Sequence, residues 1–184
     1  AHWVIEAWRL SPLQGLPAMP VSRQEFRDAM ARLGAAVNII TTDGAAGLGG
    51  ITATAVCSVT DDPPTLLVCL NRTSPRSALF LANGVLCVNT LAAGQQTISN
   101  AFSAPSDKAN MASRFAVGEW GQLATGAPVL AGAATSFDCR IAEVLEQGTH
   151  SVVFARVEAV RFAEMEAGCL MYYARAYHGL PTGQ

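Results

Sequence analysis

Gly49-Gly50-Ile51-Thr52-Ala53-Thr54-Ala55-Val56-Cys57-Ser58-Val59-Thr60 is the stretch on which the fold turns. Its β-branched residues, spaced by small ones, predict a strand over Ile51 to Thr60. Two glycines and a run of small, hydroxylated side chains leave room for a close approach by another backbone or a flat ring. Asp61-Asp62-Pro63-Pro64 breaks the strand, and Thr65 to Leu70 resumes as a third, continuously apolar and hence buried strand. No segment long enough for a crossover helix separates the two, which disfavours a doubly wound parallel sheet.

Upstream, Ser22 and Glu25 have capping-box spacing, and Val21 and Phe26 have hydrophobic-staple spacing. Phe26, Ala29, Met30 and Leu33 recur at helical intervals and give the helix one apolar stripe, closed by Gly34. Ala36 to Thr42 reads as the first strand, and Asp43-Gly44 opens a turn. Downstream, Ser74-Pro75 reads as a helix cap followed by proline in the first turn, with the helix running to Asn83-Gly84. Val85 to Leu91 is a strand, Gln95 to Phe102 a helix, and Lys108 to Phe115 a short helix. Trp120 to Pro128 reads as loop with an isolated strand or turn. Around 137–141 and 153–159, apolar and polar residues alternate as in half-buried strands, with Gln147-Gly148-Thr149-His150 between them. Leu170 to Ala174 is a last strand. Strands dominate and short helices cover them: a mainly β, antiparallel, Greek-key-like barrel.

Composition narrows the classes. The 184 residues suit one domain; they are 51% hydrophobic and only 14% charged, with net charge −2. So few charges imply apolar surface that meets another subunit. The charge argues against nucleic acid, and no apolar run reaches the roughly 18 residues of a membrane span. Five widely spaced cysteines include no CxxC pair, so they read as buried hydrophobes in a reducing cytoplasm rather than a disulfide framework or a metal site. Residues 1–20 hold three prolines and two tryptophans without a period and no signal-peptide pattern. They read as an extension, native or left by cloning, ahead of a domain spanning 21–184.

Four segments could carry chemistry. The small residues after Gly49-Gly50 suit a flat ring, and equally a strand packed tightly on a neighbour. Asn71-Arg72-Thr73-Ser74-Pro75-Arg76-Ser77 gathers two guanidinium forks, three hydroxyls and a helix start, which are the parts of a phosphate site; a capped, solvated helix start reads equally well. Gly148-Thr149-His150 places a histidine between two strands, where it is either structural or functional. Tyr172-Tyr173-Ala174-Arg175-Ala176-Tyr177-His178 sets aromatics around a cation, suited to stacking on a planar ligand or to closing a core. GxSxG, HExxH and a GxGxxG after the first strand are all missing, so hydrolase and Rossmann readings lack support.

Taken together, Gly50 to Thr60, Pro63-Pro64, Val68-Cys69-Leu70-Asn71, Cys87-Val88-Asn89-Thr90-Leu91, Ser136-Phe137-Asp138-Cys139 and Gly148-Thr149-His150 resemble the signature of the short-chain flavin reductases. These are the small components of two-component flavin-dependent monooxygenases. The resemblance covers roughly residues 22–178. It implies an FMN-binding split β-barrel, usually a homodimer, that passes hydride from NADH, or NADPH, to FMN or FAD and supplies reduced flavin to a partner monooxygenase. It implies that Thr52, Ala53 and Thr54 line the ring. Ser58, Asn71, Ser74 and Ser77 would follow the ribityl-phosphate chain, with Arg72 or Arg76 on the phosphate and Asn89 near the ring or ribityl chain. His150, with Tyr173, Arg175 and Tyr177, would face the nicotinamide. A non-catalytic flavin- or haem-binding protein, or an oxidase resembling the pyridoxamine-phosphate oxidases, would share the barrel.

Overall fold

The computed structural model describes residues 20–104, 110–163 and 167–182. The expectation for residues 1–20 lies outside them, Pro20 excepted.

Helix α1 (Arg23–Met30) starts with the capping box the sequence predicts: Ser22 Oγ accepts from the Glu25 amide, and the Glu25 carboxylate accepts from the Ser22 amide. Its apolar stripe does not face the core. No α1 residue is buried, and Phe26, Met30 and Leu33 are 60%, 46% and 62% exposed. Val21 and Phe26 both stand in solvent, so they do not fix the entry of the chain as a staple would. Ala31, not Gly34, caps the helix.

The chain then enters β1 (Ala35–Ala36) and β2 (Asn38–Thr42). The single strand read here is two, because Val37 binds both ways: its amide donates to Leu170 O and its carbonyl accepts from the Leu91 amide. Every β2 residue is buried, since Ile40 belongs to one core and Ile39 to another. The Gly49–Thr60 stretch is also two strands, β3 (Gly49–Ala53) and β4 (Val56–Asp61), broken at Thr54-Ala55. β5 (Pro64–Asn71) follows; Leu66, Val68 and Leu70 point inward while Leu67 and Cys69 point outward, so only one face is core.

Helix α2 (Ser77–Asn83) starts later than the Ser74-Pro75 reading. Asn71 Oδ1 takes the Thr73 amide (3.0 Å) and hydroxyl (2.9 Å), folding 71–76 into turns before helix can form. Gly84, at φ 68°, ends α2 in the left-handed conformation that favours glycine. β6 (Val85–Thr90), α3 (Gln96–Ser103) and α4 (Met111–Phe115) follow close to expectation. Trp120–Gln122 (β7) is the strand expected within 120–128, and it pairs with Pro128–Leu130 (β8) rather than standing isolated. β9 (Thr135–Gln147) and β10 (His150–Phe162) form a hairpin longer than its alternating centre suggested. The tail adds β11 (Cys169–Tyr173) and a further strand, β12 (Ala176–Leu180).

Seven strands form one antiparallel sheet in the order β3-β2-β6-β9-β10-β5-β4; β1, β11 and β12 form another of three. β3 and β4 are opposite edges, yet only two residues join them. The sheet must therefore curl until its edges meet, leaving a seam that is split rather than laddered, as the barrel reading requires. Ile40, Leu66, Val68, Leu86 and Val153 fill the barrel. Phe102 and its neighbours Phe115 and Trp120, with ring centroids 5.0 and 5.5 Å away, pack α3 and α4 outside it. Among the described residues no helix is long and apolar enough to cross a membrane. The described cysteines are free; Cys87 and Cys139 are buried as expected, but Cys57 is exposed and Cys69 and Cys169 only half-buried.

Candidate functional site

At the seam lies a groove of about 770 Å³. Its walls come from Thr54 to Cys57 at the barrel corner, Leu67 and Cys69 on β5, Asn38, α1 with the segment behind it, and Tyr172 and Arg175 of the tail. The glycines upstream matter for packing: a side chain on Gly50 would strike the Phe102 ring, so glycine lets α3 lie flat on β3. Thr54 faces the groove, whereas Thr52 turns away and donates to Ser99 O at 2.8 Å, and Ala53 packs against the barrel core. Thr52 and Ala53 point to opposite faces of β3 and Thr54 lies in the break after it, so the three side chains leave in different directions.

Two residues beyond Cys69, β5 ends at Asn71, about 7 Å further along the strand. There the second and third segments meet. The Arg72 amide donates to Thr149 O at 2.9 Å, its guanidinium donates to Gly148 O, and Nη2 pairs with Glu146 at 3.0 Å. His150 stands opposite Asn71 in the β10–β5 ladder, and its Nδ1 lies 2.9 Å from Thr149 Oγ1. The Ser74 amide donates to Asn71 O. Ser77 is buried, its hydroxyl committed to Asn71 O. Arg76 reaches the Ala104 carbonyl at the end of α3, which the buried Arg114 also holds, at 2.7 Å. Burial and then the neighbouring Arg76 charge pull the Arg114 pKa down. Two guanidinium groups thus share one helix C-terminus, where the dipole favours cations.

Two residues assigned to the ligand are placed elsewhere. Ser58 stands opposite Leu66, five residues from Asn71, about 17 Å along β5, so it cannot join the 71–77 turn. Asn89 is fully buried. Its amide donates to Ile39 O and Pro128 O, and its oxygen accepts from the Leu130 amide and the Ser136 hydroxyl. That side chain knits β2, β6, β8 and β9 together and has no face toward the groove.

The tail divides too. Ala174 and Arg175 both adopt positive φ, 50° and 62°, in the tight turn between β11 and β12. Such turns favour Asn-Gly; here the Ala174 amide bonds Ala31 O and Arg175 pairs with Asp28 at 2.5 Å, clasping the turn to α1. Hydrogen bonds from Arg175 and then Gln24 hold the Asp28 pKa below its ordinary value. Tyr173 is exposed, whereas the Tyr177 hydroxyl is 2.9 Å from Ser99 Oγ and its ring packs on Tyr172. Arg175 therefore faces the groove, Tyr177 the second core, and His150 the 71–77 turn. Sequence reasoning missed Glu146 and Arg114, and named Thr149 only as His150's neighbour without a role. Only Arg114, a cation inside a short helix behind an Asn110 cap, left a local signal.

Residues 30–181 match the flavin reductase like domain. The chain is 55% identical over 163 residues, 89% of this chain and 91% of the relative, to the FMN reductase (NADH) RutF of Stutzerimonas stutzeri. It is 51% identical over 175 residues to the protein of the same name from Yersinia enterocolitica, covering 92% of this chain and 94% of that one. Its fold superposes with a TM-score of 0.80, at 26% identity, on BorF, the flavin reductase component of a bacterial two-component tryptophan halogenase, covering 87% and 99% of the two chains. Fold, groove and sequence agree, and the chain belongs to the flavin reductase like family.

Proposed function

We propose that this protein is an NADH-dependent FMN reductase that releases reduced flavin to a separate monooxygenase. The observation that carries the reading is the arrangement along β5: an open groove at the barrel seam, and a turn bearing Arg72, Ser74 and Arg76 one short step beyond it. A groove of this volume suits a planar small molecule, and the cations and turn amides suit a single phosphate. Flavin, when bound, supplies the hydride acceptor. The chain's own residues hold and orient: Thr54 and Ala55 border the ring and the 71–77 turn takes the phosphate. Arg175, fixed by Asp28, sits at the mouth, and His150, oriented by Thr149, stands beside the turn. Such a site needs no nucleophile, because hydride transfer depends chiefly on stacking geometry. FMN and NADH follow the names of the relatives at 55% and 51% identity; FAD and NADPH are the lesser expectations.

A homodimer is part of the proposal. The exposed Phe26, Met30 and Leu33 form an apolar face that one chain leaves uncovered. A cytoplasmic setting is supported by free thiols at each described cysteine.

NADH consumption with FMN, FAD or riboflavin tests the activity. FMN-dependent turnover that saturates in flavin is expected; no NADH loss with any flavin would end the reading. His150→Ala should lower kcat/KM for NADH, whereas a protein that only binds flavin would be indifferent.

A further inference from the structure

Cys57 and Cys69 stand apart from the other thiols. Cys87 and Cys139 are sealed in the core, where burial pushes both pKa values up, that of Cys139 to about 12. Such thiols are inert. Cys57 is exposed on β4, the edge strand, and Cys69 is half-buried on β5. Cys57 lies opposite Leu67, and the Cys69 amide donates to Ala55 O at 3.0 Å. Ala55, Cys57, Leu67 and Cys69 therefore form one same-face square of the ladder, and all four line the groove. The two cysteines occupy its diagonal. Burial raises the Cys69 pKa first, and the nearby Cys57 charge adds to it, as expected of thiols within electrostatic reach.

Diagonal neighbours stand about 7–8 Å apart at Cα, just beyond the usual disulfide span of about 4.4–6.8 Å. Here β4 can supply the difference. It is an edge strand, with a break at Thr54-Ala55 before Cys57 and a register shift between Ser58 and Thr60 after it. A bridge formed by such a shift is strained and readily reduced, as befits a regulatory disulfide.

We propose that Cys57 and Cys69 are a peroxide-oxidised thiol pair whose disulfide staples β4 to β5 across the groove and suppresses turnover. The exposed Cys57, as thiolate, attacks hydrogen peroxide: an S–O bond forms, the O–O bond breaks, and the departing hydroxide takes a proton to become water. Cys69 then attacks the Cys57 sulfenic acid; the S–S bond forms, the S–O bond breaks, and a second water leaves. Two thiols lose two electrons to one peroxide. The oxidant's origin rests on the proposed function, since reduced flavin released into oxygenated solution passes two electrons and two protons to O2 and yields peroxide. The pair would make the reductase answer to its own unused product.

The test is to treat reduced, full-length protein with hydrogen peroxide, block remaining thiols and map peptides by mass spectrometry beside a turnover assay. The expected result is an intramolecular Cys57–Cys69 link, a fall in turnover of about tenfold or more, and recovery with dithiothreitol. In Cys69→Ser, Cys57 should stop at the sulfenic acid and be trapped by dimedone. Any one of four results overturns the proposal: both thiols unmodified, a Cys57 link to a second copy, a link without loss of turnover, or Cys69→Ser behaving as wild type. The peptide map does not depend on flavin turnover. A protein that forms the link but never reduces flavin would sink the functional reading and leave the thiol chemistry standing.

Discussion

Single residues here are decided by what surrounds them. Asn89 and Asn71 look equivalent in sequence, each near the end of a strand rich in Val and Leu. One is the buried junction of four strands and the other opens the exposed 71–77 turn. Asn89→Leu would strand the Leu130 amide and Ser136 hydroxyl, costing about 3 kcal/mol or more. Thermal denaturation should show Tm falling by about 6–12 °C. Arg72→Ala with Arg76→Ala should weaken FMN about 10- to 100-fold and riboflavin hardly at all, measured by fluorescence quenching. An equal loss for both flavins would contradict the phosphate assignment. Asp28 gives a pH signature. Its folded pKa is lowered, so the Arg175 clasp contributes in full above the ordinary value of 3.8 and is lost as pH falls through the lowered one. NMR titration should find the Asp28 pKa rising toward 3.8 in Arg175→Ala.

At the level of elements, sequence pattern identified most strands and misplaced their ends. The capping box of α1 is local chemistry between Ser22 and Glu25 and was legible without the fold. The direction of its apolar stripe was not, because periodicity reports that one face is apolar and says nothing of what covers it. Replacing Phe26 and Met30 with serine should dissociate the proposed dimer in sedimentation while leaving the monomer's Tm nearly unchanged, since neither side chain is buried within one chain. α3 depends on contact over distance. Gly50→Ala would drive a methyl into the Phe102 ring and should cost about 1–3 kcal/mol by chemical denaturation. The break at Thr54-Ala55 had no signal either. Thr54 is a good strand former and Ala55 only mildly disfavoured, and the bend exists because β3 and β4 must leave on opposite edges of one sheet.

Across the whole molecule, the groove exists because the seven-stranded sheet closes without joining its edges, and α1 and the tail hairpin wall the seam. The sequence by itself determined what is local or periodic: antiparallel strands, α1's cap, the Gly84 stop, and a turn at 71–77 that gathers two arginines and three hydroxyls. It also held enough family likeness to imply flavin chemistry. Tertiary structure alone decided which of those residues meet. It brought the 71–77 turn against Thr149 and His150, which lie more than seventy positions away in the chain. It set Ser58 opposite Leu66, buried Asn89 at a junction of four strands, and placed two cysteines on the diagonal of one ladder square lining the groove. The physical reason is that strand pairing and register join residues remote in sequence, and only the assembled sheet fixes that register.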